Sequence, residues 1–280
     1  MIKSVITFTL LLFIASTGLL PAQFISGILV DEQSKAPLPY VNIGVLHREV
    51  GTVSDEQGRF RLRMDSVESG DSIRVSMLGY VPRAMTVSAF QRELELTGGN
   101  FSLAQGSISL KEATIRSREL VERKLGNFTD SEGVTAGFSS NDLGCELVIK
   151  IKAKRSPSYL ETFRFHIARN IFDTLLFRVN VYDIVDGRPG QIINTKNIFC
   201  TSTAKSGWVS VDLRDFNIVA EGDFAIGLEL IRDFRKGEVT KGLYFSAGFL
   251  NKNCYYRSAS QQDWKKVPVV GLGFNVTVKD

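Results

Sequence analysis

The stretch Gly51-Thr52-Val53-Ser54-Asp55-Glu56-Gln57-Gly58-Arg59-Phe60-Arg61-Leu62 decides the fold of the first half of the chain. Asp55 and Gly58 are typical of a tight turn, because aspartate can accept backbone hydrogen bonds and glycine readily takes a positive φ. After the turn, Phe60 and Leu62 alternate with arginines, which is the pattern of a strand with one buried face. The stretch therefore predicts a β-hairpin. The turn alone explains the acidic residues, so we do not predict a calcium site, which needs several closely spaced oxygen ligands.

The composition predicts an all-β protein of about two domains. The chain has 280 residues, of which 44% are hydrophobic and 23% are charged, so it can bury a sizeable core. Aromatic and β-branched residues come in short runs separated by Gly, Asn, Asp and Ser, which is typical of strands and turns. The net charge is only +4, and acidic residues are interleaved with basic ones. The sequence therefore does not favour a nucleic acid as partner.

The N-terminus has the pattern of a signal peptide. Lys3 supplies a positive charge, Val5 to Ala15 are apolar, and Ala22 is a small residue in front of a cleavage site. The apolar run Ile6 to Leu20 is shorter than the ~20 residues that a transmembrane helix needs. We therefore expect residues 1–22 to be a signal peptide, and we expect an exported mature chain without a transmembrane span.

The remaining chain divides into two predicted antiparallel β-sandwich domains. Residues 23–116 alternate in short runs, and the alternation continues through Leu94 and Leu96. Residues 117–144 are charged and then rich in Ser, Gly, Asn and Asp, which is typical of a linker. Residues 145–280 alternate again, with no helical pattern between the runs, and so predict a second sandwich.

The order of motifs in the first domain resembles the carboxypeptidase regulatory-like domain. The matching stretches are Pro37-Leu38-Pro39-Tyr40-Val41-Asn42-Ile43, Gly51 to Phe60, Leu78-Gly79-Tyr80 and the exit Leu110 to Ile115. The resemblance implies a seven-stranded, transthyretin-like sandwich without catalytic residues. Such domains occur at the N-terminus of TonB-dependent outer-membrane receptors and in other exported Gram-negative proteins. The resemblance therefore implies a cell-envelope location: periplasmic, outer-membrane-associated or extracellular.

The second domain is similar, more loosely, to the jelly-roll modules of exported bacterial proteins. The similarity rests on the spacing of the strands, on Gly207-Trp208 with Asp212-Leu213, and on Gly222-Asp223-Phe224. It implies a jelly-roll-like sandwich.

The sequence contains no motif for catalysis, a cofactor or a metal. It has no Gly-x-Ser-x-Gly, no His-Glu-x-x-His and no phosphate-binding loop. His47 lies in a turn-like stretch, and the alternation puts His166 on the outward face of a strand. Glu229 and Asp212 also occupy outward positions, where they could line a concave sheet as hydrolase carboxylates. A solvated sheet face is the favoured interpretation of both.

Aromatic residues provide the predicted ligand-binding site. Tyr182, Trp208, Tyr255, Tyr256 and Trp264 fall at outward strand positions or in loops. Exposed aromatic rings stack on flat ligand faces, including sugars, and they anchor protein contacts. Tyr255, Tyr256 and Trp264 are the candidate binding cluster, and the alternative is that such aromatic side chains cap the core of the sandwich.

The three cysteines leave two alternatives open. Cys145, Cys200 and Cys254 provide either one disulfide and one thiol or three buried thiols.

Together these features favour a non-enzymatic exported cell-envelope protein. Its first domain would be a structural or docking domain. Its second domain would bind a ligand or an envelope partner, either a protein or a glycan. One alternative is a carbohydrate-binding accessory protein of a polysaccharide uptake or degradation system. A less favoured alternative is a hydrolase with dispersed carboxylates.

Overall fold

The computed structural model describes residues 23–106, 119–138, 143–233, 242–249 and 253–280. The predicted signal peptide, residues 1–22, and the predicted exit, Leu110 to Ile115, lie outside these residues. Within them, no helix has the length and apolar character needed to cross a membrane.

The first module has two small sheets and one helix. The sheets have the strand orders β4-β1-β7 and β3-β2-β5-β6, and all neighbours are antiparallel except β1 and β7. The elements are β1 (Phe24–Asp31), β2 (Asn42–Val45), β3 (Gly51–Val53), β4 (Arg59–Arg63), β5 (Ser72–Ser76), β6 (Arg83–Thr86), α1 (Val87–Leu96) and β7 (Asn100–Leu103). A core that includes Phe60, Phe90 and Phe101 lies between the sheets and the helix.

The turn predicted at Asp55 is present, but it does not close a hairpin. The Asp55 carboxylate accepts hydrogen bonds from the backbone N–H groups of Gln57 and Arg59, at 2.9 and 2.8 Å. Gly58 has a φ of +72°. However, β3 belongs to the four-stranded sheet and β4 to the three-stranded sheet. The turn therefore carries the chain from one layer of the sandwich to the other.

The alternation predicted through Leu94 and Leu96 is wrong, because these residues lie in α1. Thr86 caps the helix, and its hydroxyl accepts a hydrogen bond from the backbone N–H of Ala89 at 3.2 Å. The buried side chains of α1 are those of Val87, Phe90 and Leu94. This spacing of three and four residues is helical, whereas Leu96 is 78% exposed.

The second module is a sandwich of two larger antiparallel sheets. A seven-stranded sheet has the order β13-β12-β17-β10-β19-β20, with β14 also paired to β12. An eight-stranded sheet has the order β21-β18-β11-β22-β8, with β15 and β16 paired to β11 and β9 paired to β18. The strands are β8 (Glu122–Gly126), β9 (Thr135–Phe138), β10 (Glu146–Ile151), β11 (Ser158–Asn170), β12 (Leu175–Val185), β13 (Arg188–Ile192), β14 (Ile198–Ser202), β15 (Gly207–Asp212), β16 (Val219–Ala220), β17 (Phe224–Asp233), β18 (Leu243–Phe249), β19 (Cys254–Arg257), β20 (Lys265–Val267), β21 (Val270–Leu272) and β22 (Phe274–Lys279).

The core of the second module is aromatic. Phe165 packs edge-to-face on Phe177 and Phe245, with ring centroids 5.9 Å apart in both pairs. Phe274 packs edge-to-face on Phe245 at 5.1 Å. Strands dominate both modules, and α1 is their one α-helix among the described residues. The prediction of an all-β sandwich fold is confirmed.

Part of the predicted linker, residues 117–144, belongs to the second sandwich. β8 pairs with β22, and β9 pairs with β18. Each of these two strands buries a single large side chain, Leu125 in β8 and Phe138 in β9. The alternation along each strand is therefore too short to stand out in the sequence.

The first module lies against the outer face of the seven-stranded sheet. Val53 of β3 forms a buried apolar cluster with Leu176 and Ile231 of the second module. Gly44 of β2 is in close contact with the backbone at Ser260, because a Cβ atom at Gly44 would lie 1.9 Å from the Ser260 carbonyl oxygen. A glycine is required there for the two modules to approach each other so closely.

Candidate functional site

A cluster of buried charges lies between the two modules. Glu146 of β10 and Glu229 of β17 are directly opposite each other on neighbouring strands, and both are 0% exposed. An Nη atom of Arg257 lies 2.6 Å from a carboxylate oxygen of Glu146. An Nη atom of Arg178 donates to Glu229 at 3.3 Å. Two guanidinium groups therefore balance two carboxylates.

Neutral side chains complete the cluster from the second module. The Asn180 amide donates to both carboxylates, at 3.0 Å in each case. The Tyr182 hydroxyl lies 2.8 and 2.9 Å from the two oxygens of Glu146 and donates to that carboxylate. Burial raises the pKa of Tyr182 well above its ordinary value, and the charge of Glu146 raises it further. Tyr182 therefore stays protonated, and its hydroxyl acts as a hydrogen-bond donor.

The first module supplies the last contacts of the cluster. The Asn42 amide of β2 donates to Glu229 at 2.7 Å, and its carbonyl oxygen accepts from Arg178 at 3.0 Å. Arg178 also donates to the backbone carbonyl of Tyr40. The cluster is thus shared by both modules and joins them.

Burial raises the pKa of the Glu146 carboxyl above its ordinary value, while the nearby guanidinium of Arg257 acts in the opposite direction. Paired carboxylates are a feature of hydrolases, in which they must reach the substrate. Here both carboxylates face the first module, and neither has exposed surface. The geometry is that of a structural contact that fixes the two modules to each other, and we call this cluster the joint.

The two carboxylates considered for hydrolysis lie in different sheets. The solvated position predicted for Glu229 is wrong, because the first module covers that face of the sheet. Asp212 lies on β15 in the other sheet and accepts a hydrogen bond from the Arg214 side chain at 2.9 Å. This contact with Arg214 lowers the pKa of Asp212 to about 2.

The structure does not assemble Tyr255, Tyr256 and Trp264 into an exposed cluster. Tyr255 is only 5% exposed, and its hydroxyl donates to the Gly187 carbonyl at 2.8 Å. Tyr256 packs against the main core of the sandwich, whereas Tyr255 and Trp264 pack in a separate small cluster. The alternation of β19 puts the two tyrosines on opposite faces. The Trp264 ring packs edge-to-face on Tyr182 at 5.4 Å.

The histidines are not brought together with a catalytic group in the described part of the chain. His47 is exposed, and its Nδ1 lies 2.7 Å from a carboxylate oxygen of Asp263. His166 lies on the face of β11 opposite the core residues Phe165 and Ile167, as predicted, and it is packed there with only 8% of its surface exposed. Its Nδ1 lies 2.8 Å from the Ser246 hydroxyl, and its ring packs edge-to-face on Trp208 at 5.0 Å.

The three cysteines, all within the described residues, form no disulfide bond. Burial raises the pKa of Cys200 to about 11 and that of Cys254 to about 12. These two thiols are therefore protonated at neutral pH and poorly nucleophilic. The described residues contain no group of three or more His, Cys, Asp or Glu side chains that could hold a metal ion.

A groove with a cavity volume of about 290 Å³ opens where β8 and the turn after it approach β10. Among the residues that the structure describes, its lining contains four lysines and neither an arginine nor an acidic residue. The lining residues are Lys124, Leu125, Gly126, Asn127, Phe128, Ile149, Lys150, Ile151, Lys152, Lys154, Asn253 and Gly271. We call it the basic groove.

The lining of the basic groove includes both buried apolar and exposed charged residues. Leu125, Ile149 and Ile151 are all buried. Lys124, Lys152 and Lys154 are exposed, whereas Lys150 is partly buried and lies 3.2 Å from the Asp223 carboxylate. Positive charge therefore lies at the exposed part of the groove, where an anion can reach it.

The turn that follows β8 has a fixed conformation. Gly126 has a φ of +113°, and a Cβ atom there would lie 2.6 Å from the Phe274 carbonyl oxygen. The Asn127 side chain donates to the Gly271 carbonyl at 2.8 Å and accepts from the backbone N–H of Thr129 at 3.2 Å. These contacts hold the wall of the groove, where the Phe128 side chain is 51% exposed.

The basic groove was not predicted from the sequence. The available signal was the alternation in Lys150-Ile151-Lys152-Ala153-Lys154, which favours one side for all three lysines. It was not recognised because the three charges are spread over five residues and form no dense basic tract. Lys124 comes from the other sheet, and no sequence pattern connects it with them.

The comparisons with known proteins identify the first module. The family model of the CarboxypepD_reg-like domain matches residues 25–115, a seven-stranded sandwich with one helix over its described residues. The resemblance inferred from the sequence is thereby confirmed for this segment, which is a CarboxypepD_reg-like domain. No curated protein matches the chain.

Two solved structures show a distant similarity. One contains the cysteine protease and lectin-like domains of Cwp84, a surface layer associated protein of Clostridium difficile. It shares 10% identity and a TM-score of 0.43, and the match covers 86% of this chain and 58% of that one. The other is a clostridial Cwp84 cysteine protease after propeptide cleavage, with 10% identity, a TM-score of 0.42, and 91% and 70% coverage. At such TM-scores, neither similarity bears on function.

Proposed function

We propose that this chain is a non-enzymatic binding protein of the cell envelope. Its first module is a docking domain fixed to the second, and its second module binds an anionic ligand in the basic groove. The observation that carries the proposal is the described lining of that groove, which has four lysines and no acidic residue. A concave site of one charge attracts ligands of the opposite charge.

The joint between the modules supports a rigid binding unit. β10 contributes Glu146 to the buried charge cluster and Lys150 to the basic groove. Four residues of a strand span about 13 Å, so the joint and the groove are close neighbours on one strand. Docking of the first module therefore stabilises the strand that carries part of the groove.

The cell-envelope location is supported by two features. Lys3 and the apolar segment Val5 to Ala15 have the pattern of a signal peptide. Residues 25–115 match the CarboxypepD_reg-like domain, and the resemblance of this segment implies an exported protein. A partner in the envelope, either a protein or a glycan, is part of the proposal.

Reversal of two charges in the groove tests the anion-binding function. The exposed side chains of Lys152 and Lys154 line the groove, so Lys152→Glu/Lys154→Glu should weaken binding by about tenfold or more. Binding is measured by titration calorimetry with three probes: oligogalacturonate, a heparin-derived oligosaccharide and inorganic polyphosphate. We expect at least one probe to bind the unmodified protein, and we expect no new product in the mixture.

Lys35→Glu/Lys196→Glu is the matched control, because it changes the net charge by the same amount at exposed lysines that do not line the groove. The control should change affinity by less than about twofold. The proposal is contradicted if none of the three probes binds, or if both double variants weaken binding equally. Turnover of a bound probe would contradict the non-enzymatic part.

A further inference from the structure

We infer that the basic groove binds a saccharide that carries carboxylate or sulfate groups, one acidic sugar unit at a time. This inference rests on the proposed function, because it names the ligand of the same groove. It follows from the exposed lysines in the lining, from the exposed aromatic residue beside them, and from the size of the cavity.

The lining combines charged groups with apolar ones. Lys124, Lys152 and Lys154 are exposed, and the ring of Phe128 is 51% exposed. A sugar ring presents C–H groups on one face and anionic groups at its edge, so it can contact the aromatic ring and the lysines together.

Phe128 provides the contact expected for a sugar. Its side chain is 51% exposed in the wall of the groove, and the hydrogen bonds of Asn127 hold the turn in place. An exposed aromatic ring stacks on the C–H face of a sugar. Asn253 is exposed and is among the residues that line the same groove, and an asparagine amide can exchange hydrogen bonds with hydroxyl groups.

The size and shape of the groove limit the ligand further. A volume of about 290 Å³ lies at the lower end of ligand pockets, which span roughly 300–1,000 Å³. This volume can hold a single sugar ring, whereas the flat surface of a membrane does not fit into a groove. Single-stranded nucleic acids bind along rows of aromatic side chains, whereas Phe128 is the one aromatic residue in the described lining of this groove. An acidic saccharide is therefore favoured over both.

Removal of the aromatic ring tests the inference. Phe128→Ala should weaken binding of a galacturonate or heparin tetrasaccharide by about three- to tenfold. It should leave binding of inorganic polyphosphate unchanged, because polyphosphate has no apolar face. Phe249→Ala is the matched control: Phe249 is 67% exposed but does not line the groove, so affinity should not change. Circular dichroism should show both variants to be folded, since both side chains are exposed.

The other outcomes separate this inference from the proposed function. If polyphosphate or a thymidine oligonucleotide binds through Lys152 and Lys154 while neither acidic saccharide does, the ligand class is wrong and the anion-binding function stands. If no anion binds, both this inference and the proposed function fail. Equal effects of Phe128→Ala and Phe249→Ala on saccharide binding would also overturn the inference.

Discussion

Replacement of Arg178 by alanine is expected to destabilise the second module by about 3–5 kcal/mol. The substitution leaves the fully buried Glu229 carboxylate without its guanidinium partner. It also removes the hydrogen bonds from Arg178 to Asn42 and to the Tyr40 carbonyl, both in the first module. Urea denaturation followed by tryptophan fluorescence measures this loss, because Trp208 and Trp264, the two tryptophans, lie in the second module.

Lys265→Ala is the control for this experiment. Lys265 pairs with Glu49 of the first module at the exposed rim of the same interface, where both side chains are about half exposed. Water screens the attraction between exposed charges, so the control should be nearly neutral. Similar losses in Arg178→Ala and Lys265→Ala would contradict the view that the buried cluster joins the modules.

Replacement of Gly58 by valine is expected to destabilise the first module by about 2–5 kcal/mol. At a φ of +72°, a residue with a Cβ atom is strained by about 1–2 kcal/mol, and a β-branched residue fits poorly. The new Cβ atom would also lie 2.5 Å from the Leu29 carbonyl oxygen, which adds about 1–3 kcal/mol of overpacking. Circular dichroism measures the loss, while the fluorescence transition of the second module provides an internal reference.

Gly70→Val is the matched control within the first module. No heavy atom lies within 4 Å of a Cβ atom at Gly70, so valine should be tolerated there to within about 0.5 kcal/mol. An equal loss of stability in the two variants would show that the conformation of Gly58 is not the cause.

Local patterns in the sequence predicted the first module well. The turn at Asp55 and Gly58 and the alternation of Phe60 and Leu62 depend on neighbouring residues alone, and they are present in the structure. The pairing of the strands was predicted less well, because it depends on the whole sandwich. The chain crosses between the layers at this turn, where a hairpin had been expected.

The buried charge cluster shows why local patterns were insufficient in the second module. Arg178, Asn180 and Tyr182 alternate with buried apolar residues in β12, as they would on a solvated face. The partner that covers them includes Asn42, which lies 136 residues before Arg178 in the chain. Burial of Glu229 likewise depends on the docking of the two modules, and alternation within one strand carries no information about docking.

The basic groove escaped sequence analysis for a related reason. Lys124 lies in β8, Lys152 follows β10 of the other sheet, and the two line one groove only because β8 approaches β10. The aromatic residues had suggested a site at Tyr255, Tyr256 and Trp264 instead. Aromatic residues at outward strand positions indicate exposure only if nothing covers that face, whereas Tyr255 is buried here.

The most direct test of the central claim is amide chemical-shift mapping of the isotope-labelled protein during titration with oligogalacturonate. An anionic ligand in the basic groove should shift the amide signals of Gly126, Phe128, Lys152 and Asn253, and Lys152→Glu/Lys154→Glu should abolish these shifts. Shifts confined to the surroundings of Tyr255 and Trp264, or no shifts at saturating probe, would contradict the claim that the basic groove is the binding site.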